Sequence, residues 1–329
     1  MKPVVGLLLI ALLTGCAKTK AVSQDALTAT PVEMLVKDTL IKFPANPGAG
    51  FHFEYLVLLP RGIEKEKTTP LMVETNNTGL NDTITVHEKG ARRAASHSGV
   101  GVYVAKKLRL PFLVPIFPRS QTDWTVYTHA LDRDAFVAKG VDYERLDLQL
   151  LAMVEDAKKR LAAMGYPLEE KFLLTGFSAS GTFANRLSLL HPAKIKAVAT
   201  GGINAIAILP VAQVKGKTLN YPLGLADVEA ITGQPVDLEA FRALPKLLYM
   251  GAKDDNDAAA FSDGYSDEER ALVYGLMGKQ MIPTRWSFME SQYRLAGVQA
   301  QFKTYEHMGH GTDLVILDEL VAYFKTYVE

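Results

Sequence analysis

Cysteine is nearly absent from this sequence: one residue, Cys16, occurs among 329. A single cysteine cannot form a disulfide within the chain, and it cannot build a zinc site from several thiolates. An excess of charge is also missing, because 36 Lys and Arg residues balance 36 Asp and Glu residues. Nucleic-acid binding needs a concentrated positive surface, so we predict no nucleic-acid partner.

The apolar run near the N-terminus is too short to cross a bilayer. It covers residues 4–13, whereas a membrane-spanning helix needs about 20 residues. Lys2 precedes it and small residues follow it, as is typical of a signal peptide. The Leu-Thr-Gly-Cys segment that ends at Cys16 resembles the lipobox of bacterial lipoproteins. This resemblance implies cleavage before Cys16 and attachment of lipid to its sulfur. The alternative is an ordinary signal peptide with an incidental cysteine.

The lipobox resemblance divides the chain into three parts. We expect a lipoprotein signal peptide over residues 1–15, a lipid-anchored tether over residues 16–33 and a folded domain over residues 34–329. The tether residues are small and polar, without a clear helical or strand period. Ala17, rather than Asp, follows the cysteine. The resemblance therefore favours the outer membrane of the bacterial cell envelope, with the lipid as the membrane contact.

The remainder of the chain has the composition of a globular protein, with 48% apolar and 22% charged residues over the whole sequence. Strand-like and helix-like segments alternate along it. Such alternation predicts an α/β fold in which helices cover both faces of a mostly parallel sheet. The predicted strands are residues 34–43, 51–60, 70–75, 112–117, 171–177, 195–200, 246–251 and 300–306. The predicted helices are residues 88–109, 143–164, 178–190, 266–278, 285–296 and 312–328.

Two segments depart from simple alternation. The first two predicted strands have no helix between them, which favours an antiparallel start to the eight-stranded sheet. Residues 204–245 are irregular and rich in glycine and proline. We expect this second segment to be a lid-like insertion over one end of the sheet.

A serine lies where a predicted strand meets a predicted helix. The segment reads Gly-Phe-Ser-Ala-Ser-Gly from Gly176 to Gly181, with Ser178 at its third position. A tight strand-to-helix turn needs small residues, and it directs the partial positive charge of the helix N-terminus toward the serine. The motif resembles the nucleophile elbow, G-x-S-x-G, of the α/β-hydrolase family. The alternative is a serine with a purely structural role in the turn.

Ser180 departs from that motif. It occupies the position of the second glycine, and Gly181 follows one place later. Ser180 is also the rival hydroxyl to Ser178. Its offset from the strand predicts a packing role instead.

A histidine near the C-terminus is the candidate base. A serine hydroxyl is a weak nucleophile at neutral pH and needs such a base. In the family that the elbow resembles, the order along the chain is serine, acid, histidine. His310 lies between two glycines and follows the last predicted strand, where the resemblance places the base. His307 is the alternative, although its position nearer the strand end favours a structural role.

The acid is expected after the preceding strand, where the sequence contains an acidic cluster. The family pattern G-x-x-D, counted from Gly251, indicates Asp254. A buried carboxylate there would hold the imidazole in the required tautomer. Asp257 is the main alternative, because an apolar stretch follows it, and Asp255 is the third candidate. The cluster could instead bind a cation, but it lacks the glycine and closing glutamate of an EF-hand loop, and we predict no metal site.

Further residues are expected to surround the serine. An oxyanion hole needs two N–H donors, and the resemblance assigns them to Ala179 and to the loop that contains Asn77 and Thr78. This loop lacks the His-Gly-Gly pattern common in the family, and a plain turn is the alternative. Trp124 and Tyr127 follow the fourth predicted strand and so lie at the serine's edge of the sheet. They are candidates for the substrate pocket, with a packed, hydrogen-bonded loop as the alternative.

Together these motifs resemble the α/β-hydrolase superfamily, and in particular its secreted esterase, depolymerase and prolyl-oligopeptidase-like branches. The resemblance covers most of residues 34–329. It implies a serine hydrolase that cleaves a small-molecule or polymer ester through an acyl-enzyme. A serine peptidase of the same fold and a non-catalytic binding lipoprotein are the alternatives. Neither a P-loop nor a dinucleotide fingerprint occurs in the sequence, so no organic cofactor is expected.

Replacing Cys16 by serine removes the chain's one cysteine sulfur. We expect Cys16→Ser to leave the membrane fraction while the folded domain stays active, because the lipid supplies the membrane attachment. Fractionation of cells that produce each form measures this, with Thr19→Ala in the tether as the control. Membrane retention of Cys16→Ser would contradict the lipid anchor.

Overall fold

A computed structural model of the protein describes Met1, residues 33–77 and residues 82–328. Four sequence-based predictions concern residues outside these ranges. They are the signal peptide beyond Met1, the lipidation of Cys16, the tether up to residue 32, and the oxyanion role of Thr78.

Within the described ranges, eight strands form the main sheet and two form a separate hairpin. The strands are β1 (Thr39–Phe43), β2 (Tyr55–Leu59), β3 (Met72–Val73), β4 (Phe112–Pro115), β5 (Phe172–Phe177), β6 (Ile195–Gly201), β7 (Gln213–Val214), β8 (Lys217–Thr218), β9 (Lys246–Gly251) and β10 (Ala300–Tyr305). The main sheet has the order β1-β2-β4-β3-β5-β6-β9-β10. β2 pairs antiparallel with β1 and β4, and the other neighbouring strands pair in parallel. The predicted eight-stranded, mostly parallel sheet with an antiparallel start is confirmed.

Both faces of this sheet are apolar. Successive residues of a strand point to opposite faces. In β2, Tyr55, Val57 and Leu59 belong to one core cluster, and Leu56 and Leu58 belong to the other. β5 and β9 divide their residues in the same way. Helices must therefore cover the sheet from both sides.

The helices meet this requirement. They are α1 (Ile84–Ser96), α2 (Val100–Leu108), α3 (Asp134–Val137), α4 (Leu146–Ala163), α5 (Ala179–Leu190), α6 (Val228–Thr232), α7 (Leu238–Ala243), α8 (Asp267–Leu272), α9 (Trp286–Leu295) and α10 (Leu314–Lys325). Residues of α4, α5 and α9 belong to the first core cluster, and residues of α1, α2 and α10 belong to the second. In the part of the chain that the structure describes, none of the helices combines the length and the apolar character needed to cross a membrane.

The helix predicted over residues 88–109 is in fact two helices. α1 begins earlier, at Ile84, and residues 97–99 separate it from α2. Gly99 precedes α2 with a φ of 147°, a conformation that residues with a side chain rarely adopt. Gly101 lies so close to β4 that a Cβ there would come within 2.5 Å of the Phe112 ring. The two glycines therefore mark a helix break and a close contact between helix and strand.

Residues 204–245, predicted to be a lid-like insertion, connect β6 to β9. They contain the β7–β8 hairpin together with α6 and α7. Residues 205–209 are completely buried in the core cluster to which α4 and α5 contribute. The beginning of the insertion is therefore part of the core, and lid motion in the remainder stays a prediction.

Candidate active site

Ser178 lies at a strained turn between β5 and α5. Its φ is 63° and its ψ is −128°, in a region that costs a non-glycine residue about 1–3 kcal/mol. Close packing surrounds the turn. A Cβ on Gly176 would come within 2.3 Å of the Ser180 carbonyl oxygen, and a Cβ on Gly181 within 2.4 Å of the Gly201 carbonyl oxygen. Glycine is therefore needed on both sides of the serine.

Ser180 supports this turn from within. Its Oγ accepts a hydrogen bond from the Phe177 N–H at 3.0 Å and donates one to the Phe177 carbonyl oxygen at 2.9 Å. The residue is only 2% exposed. Its hydroxyl is thus bonded to the backbone of the turn, as expected of a packing residue. Ser178, by contrast, lines an open cleft.

The structure brings together Ser178, His310 and Asp254, which are far apart in the sequence. His310 Nε2 lies 2.9 Å from Ser178 Oγ, and His310 Nδ1 lies 2.9 Å from Asp254 Oδ2. The Asp254 side chain is 1% exposed and the His310 side chain 25%. When Nδ1–H donates to Asp254, the Nε2 lone pair faces the serine hydroxyl and can accept its proton.

The side chains of the alternative acids and base face other partners or solvent. The wholly buried Arg285 donates from Nη1 to Asp257 Oδ1 at 3.0 Å, and a second bond joins its Nη2 to the other carboxylate oxygen. Asp255 is exposed. His307 Nε2 lies 2.8 Å from Asp313 Oδ2. The structure therefore brings none of the three alternatives into the hydrogen-bonded series that contains Ser178.

Asn256 was not predicted from the sequence, and yet it contacts the histidine directly. Its Nδ2 lies 3.1 Å from His310 Nε2 and 3.3 Å from Asn204 Oδ1. The Asn256 amide nitrogen thus lies beside the same ring nitrogen that faces Ser178. The sequence held one signal, since Asn256 lies two residues after Asp254 in the acidic cluster. Its contact with the imidazole depends on how that loop folds, which the sequence does not indicate.

Two of the predicted oxyanion donors, Ala179 and Asn77, lie within the described residues and beside the serine. Ala179 is the first residue of α5, and the first N–H groups of a helix have no acceptor within the helix. Asn77 donates from Nδ2 to the Phe177 carbonyl oxygen at 3.4 Å, and it lines the same cleft as Ser178. The neighbouring Asn76 is buried and exchanges two hydrogen bonds with the Phe117 backbone, which attaches this loop to the end of β4.

The cleft above Ser178 has a volume of about 590 Å³. Both residues predicted for the substrate pocket, Trp124 and Tyr127, line it. Asn204 and Phe261 also line it, although the sequence analysis did not identify them. Phe261 could have been noticed as an isolated aromatic residue after the acidic cluster.

The loop that carries Trp124 and Tyr127 is also internally bonded, so pocket lining and loop packing occur together. The His129 Nε2 lies 2.8 Å from the Phe117 carbonyl oxygen, and burial lowers the pKa of His129 to about 3, which keeps its ring neutral. The buried Asp132 accepts a hydrogen bond from the Tyr127 N–H at 2.7 Å. The first bond holds the loop against the segment after β4, and the second closes a turn within the loop.

Arg119 joins two walls of the cleft. Its Nη2 donates to the Trp124 carbonyl oxygen at 3.1 Å and to Asp263 Oδ2 at 3.3 Å. Its guanidinium carbon lies 4.0 Å from the centre of the Tyr127 ring, a cation–π distance. The Arg119 side chain is only 3% exposed, so its charge is directed toward these partners and away from solvent.

Glu74 is a buried carboxyl group behind the serine turn. Its Oε2 accepts a hydrogen bond from the Gly101 N–H at 2.7 Å. Burial raises the pKa of Glu74 to about 7, and the Gly101 N–H and the Ser180 hydroxyl oppose this rise. Glu74 therefore bonds the start of α2 and lies next to the Ser180 side chain of the serine turn.

Comparisons with known proteins identify structures of the same fold. No family model and no curated protein matches the sequence. Poly(aspartic acid) hydrolase-1 from Sphingomonas sp. KT-1 superposes with a TM-score of 0.57 at 16% identity, covering 89% of this chain and 99% of its own. Poly(3-hydroxybutyrate) depolymerase from Bordetella parapertussis superposes with a TM-score of 0.55 at 17% identity, and the match covers 89% of this chain and 92% of the depolymerase. S-Formylglutathione hydrolase from Agrobacterium tumefaciens superposes with a TM-score of 0.51 at 12% identity, and the match covers 89% of this chain and 95% of the hydrolase. The predicted α/β-hydrolase fold is confirmed, and at these identities the likeness concerns the fold alone.

The raised pKa of Glu74 predicts a pH dependence of stability. The folded protein keeps a proton on Glu74 up to about pH 7, whereas the unfolded chain loses it near the ordinary value of 4.5. The folded state therefore binds more protons in this window, and stability falls as pH rises from about 5 to about 7. Glu74→Gln keeps a hydrogen-bond acceptor but cannot ionise, so its Tm should fall less over this window.

Thermal melts at closely spaced pH values measure the slope, with the exposed Glu290→Gln as the matched control. Burial also raises the pKa of Asp132 to about 7. Part of the fall of Tm with pH should therefore remain in Glu74→Gln. Equal slopes for the wild type and Glu74→Gln would contradict a protonated Glu74.

Proposed function

We propose that this protein is a serine hydrolase that cleaves a carboxylic ester through an acyl-enzyme intermediate. One observation carries the proposal: a continuous hydrogen-bonded path runs from Ser178 Oγ through His310 to the buried Asp254, and it opens onto a cleft. A nucleophile, a base and a group that orients the base are the components that acyl transfer requires.

In the first half of the reaction, Ser178 Oγ attacks the carbonyl carbon of the ester while its proton passes to His310 Nε2. The carbonyl oxygen takes up the electron pair and becomes an oxyanion. The Ala179 N–H, at the start of α5, is the proposed donor to it. The carbon–oxygen bond to the alcohol then breaks, and His310 returns the proton to the departing oxygen.

In the second half, water repeats the sequence. His310 takes a proton from the water molecule as its oxygen attacks the acyl carbon, and the proton returns to Ser178 Oγ as the carboxylic acid leaves. Asp254 keeps Nδ1–H in place and stabilises the imidazolium in both halves. The near-complete burial of Asp254 strengthens this interaction, because water screens it little.

The similar structures support hydrolysis as the reaction class. By their names, they are hydrolases of poly(aspartic acid) and S-formylglutathione and a depolymerase of poly(3-hydroxybutyrate). The ester preference rests on the resemblance found in the sequence. We propose in addition that the enzyme is held at the cell envelope through Cys16, which rests on the lipobox alone.

Steady-state hydrolysis of a short chromogenic ester tests the assignment of the nucleophile and the acid. We expect Ser178→Ala to lose several orders of magnitude in kcat, and Asp254→Asn to lose about 10⁴-fold with little change in KM. Asp257→Asn is the matched control for the acid. It should lose less than about tenfold in kcat, but it should lower Tm, because it deprives the buried Arg285 of its counter-ion.

Ser180→Ala is the control for the nucleophile, and it should keep far more activity than Ser178→Ala. Thermal melts establish that each variant is folded. Inactivation by Ser180→Ala but not by Ser178→Ala would contradict the assigned nucleophile. A severe loss in Asp257→Asn with a mild one in Asp254→Asn would contradict the assigned acid.

A further inference from the structure

Two large aromatic side chains stand open to solvent at the cleft above Ser178. Trp124 is 55% exposed and Phe261 is 60% exposed, and both line the cleft. Single exposed apolar residues are common on protein surfaces. Two aromatic rings in the cleft that holds the proposed nucleophile are instead typical of a site that covers them with ligand.

The two rings belong to segments that a buried side chain connects. Trp124 follows β4, and Phe261 follows β9. Arg119 bonds the Trp124 carbonyl oxygen and also Asp263, two residues beyond Phe261. The same guanidinium stacks on the Tyr127 ring. The two segments that carry the rings are thus joined to each other before any ligand arrives, which lowers the ordering cost of binding.

The space between these segments is shaped by small and uncharged groups. Ala258 and Ala260 line the cleft beside Phe261, and their side chains are too short to fill it. Asn77, Asn204 and Asn256 supply hydrogen-bonding amides near Ser178 without charge. This lining suits a ligand with a broad apolar part and a polar, uncharged part at the serine.

The described residues that line the cleft offer no cation to an anionic ligand. Among the described residues that line it, Asp263 is the one charged side chain, and it is paired with Arg119. Residues 78–81, whose structure is not described, are Thr, Gly, Leu and Asn and carry no charge. A carboxylate or phosphate in this cleft would therefore lose water and meet a carboxylate without a compensating partner.

We propose that the substrate is an uncharged ester with an aromatic group that packs against Trp124 and Phe261. This inference rests on the proposed ester hydrolase function and narrows it to a substrate class. Aromatic rings of the ligand and the protein bury large apolar areas and gain further from offset or edge-to-face contact. The aromatic group occupies the acyl or the alcohol side of the ester, and the two sides are separate arms of the test.

Matched pairs of esters test the proposal. Ethyl 3-phenylpropanoate against ethyl butanoate varies the acyl side, and benzyl acetate against butyl acetate varies the alcohol side, with hydrolysis followed by proton release. We expect kcat/KM of the wild type to be about tenfold higher for the aromatic member of at least one pair. Trp124→Ala and Phe261→Ala should each remove most of that preference, by raising KM for the aromatic ester more than for its aliphatic partner.

Leu295→Ala is the matched control, because Leu295 is an apolar residue that is 77% exposed and is not among the residues lining this cleft. It should leave both members of each pair unchanged. A charge arm uses the monoethyl ester of succinic acid, which the wild type should hydrolyse more slowly than ethyl butanoate. Asp263→Asn leaves Arg119 without its counter-ion, and it should raise kcat/KM for this anionic ester relative to ethyl butanoate by several-fold.

The outcomes separate this inference from the proposed function. Hydrolysis of ethyl butanoate without preference for either aromatic ester, or equal losses for both members of a pair in Trp124→Ala and Phe261→Ala, would overturn the aromatic substrate class and leave the ester hydrolase in place. Faster hydrolysis of the anionic ester by the wild type would overturn the requirement for an uncharged substrate. Absence of hydrolysis of every ester would overturn the proposed function, and this inference with it.

Discussion

The backbone conformation of Ser178 is the constraint on which the site depends. A φ of 63° on a residue with a side chain is unfavourable, and the surrounding packing must hold it. Gly176 allows the end of β5 to lie against the first turn of α5, and Gly181 allows α5 to lie against the end of β6. Ser180 bonds the same turn from within, and the buried Glu74 lies next to the Ser180 side chain. The strained serine is thus presented at the edge of the sheet, at the start of α5.

The parallel arrangement of the sheet supplies the partners of that serine. The carboxyl ends of parallel strands meet at one edge, and the sheet order places β6, then β9, then β10 on one side of β5. Residues that follow β5, β9 and β10 therefore converge, although Ser178 and His310 are 132 residues apart in the sequence. The loop after β4 reaches the same edge, and Arg119 joins it to the loop after β9. Reaction chemistry and substrate selection can thus depend on different loops over one rigid sheet.

Much of this arrangement could be predicted from the sequence, because local patterns determine it. Alternation of strand and helix patterns indicated the eight-stranded sheet, and the small residues around Ser178 indicated the strained turn. The break at residues 97–99 was missed, since two glycines within a helical pattern weaken it without locating its end. The partner of Asp257 was missed because Arg285 lies 28 residues away, and no local pattern connects the two. Asn256 and Phe261 were missed for a similar reason, since their positions depend on the path of an irregular loop.

The central claim is that His310 and Asp254 activate Ser178 as a nucleophile. Reaction with a fluorophosphonate tests it most directly, because this reagent forms a covalent bond with an activated serine and does not depend on the natural substrate. The account predicts one adduct per chain by intact mass, located on the peptide that contains Ser178, and a strongly reduced labelling rate in Asp254→Asn. Absence of an adduct on the folded protein, or an adduct on Ser180 instead, would contradict it.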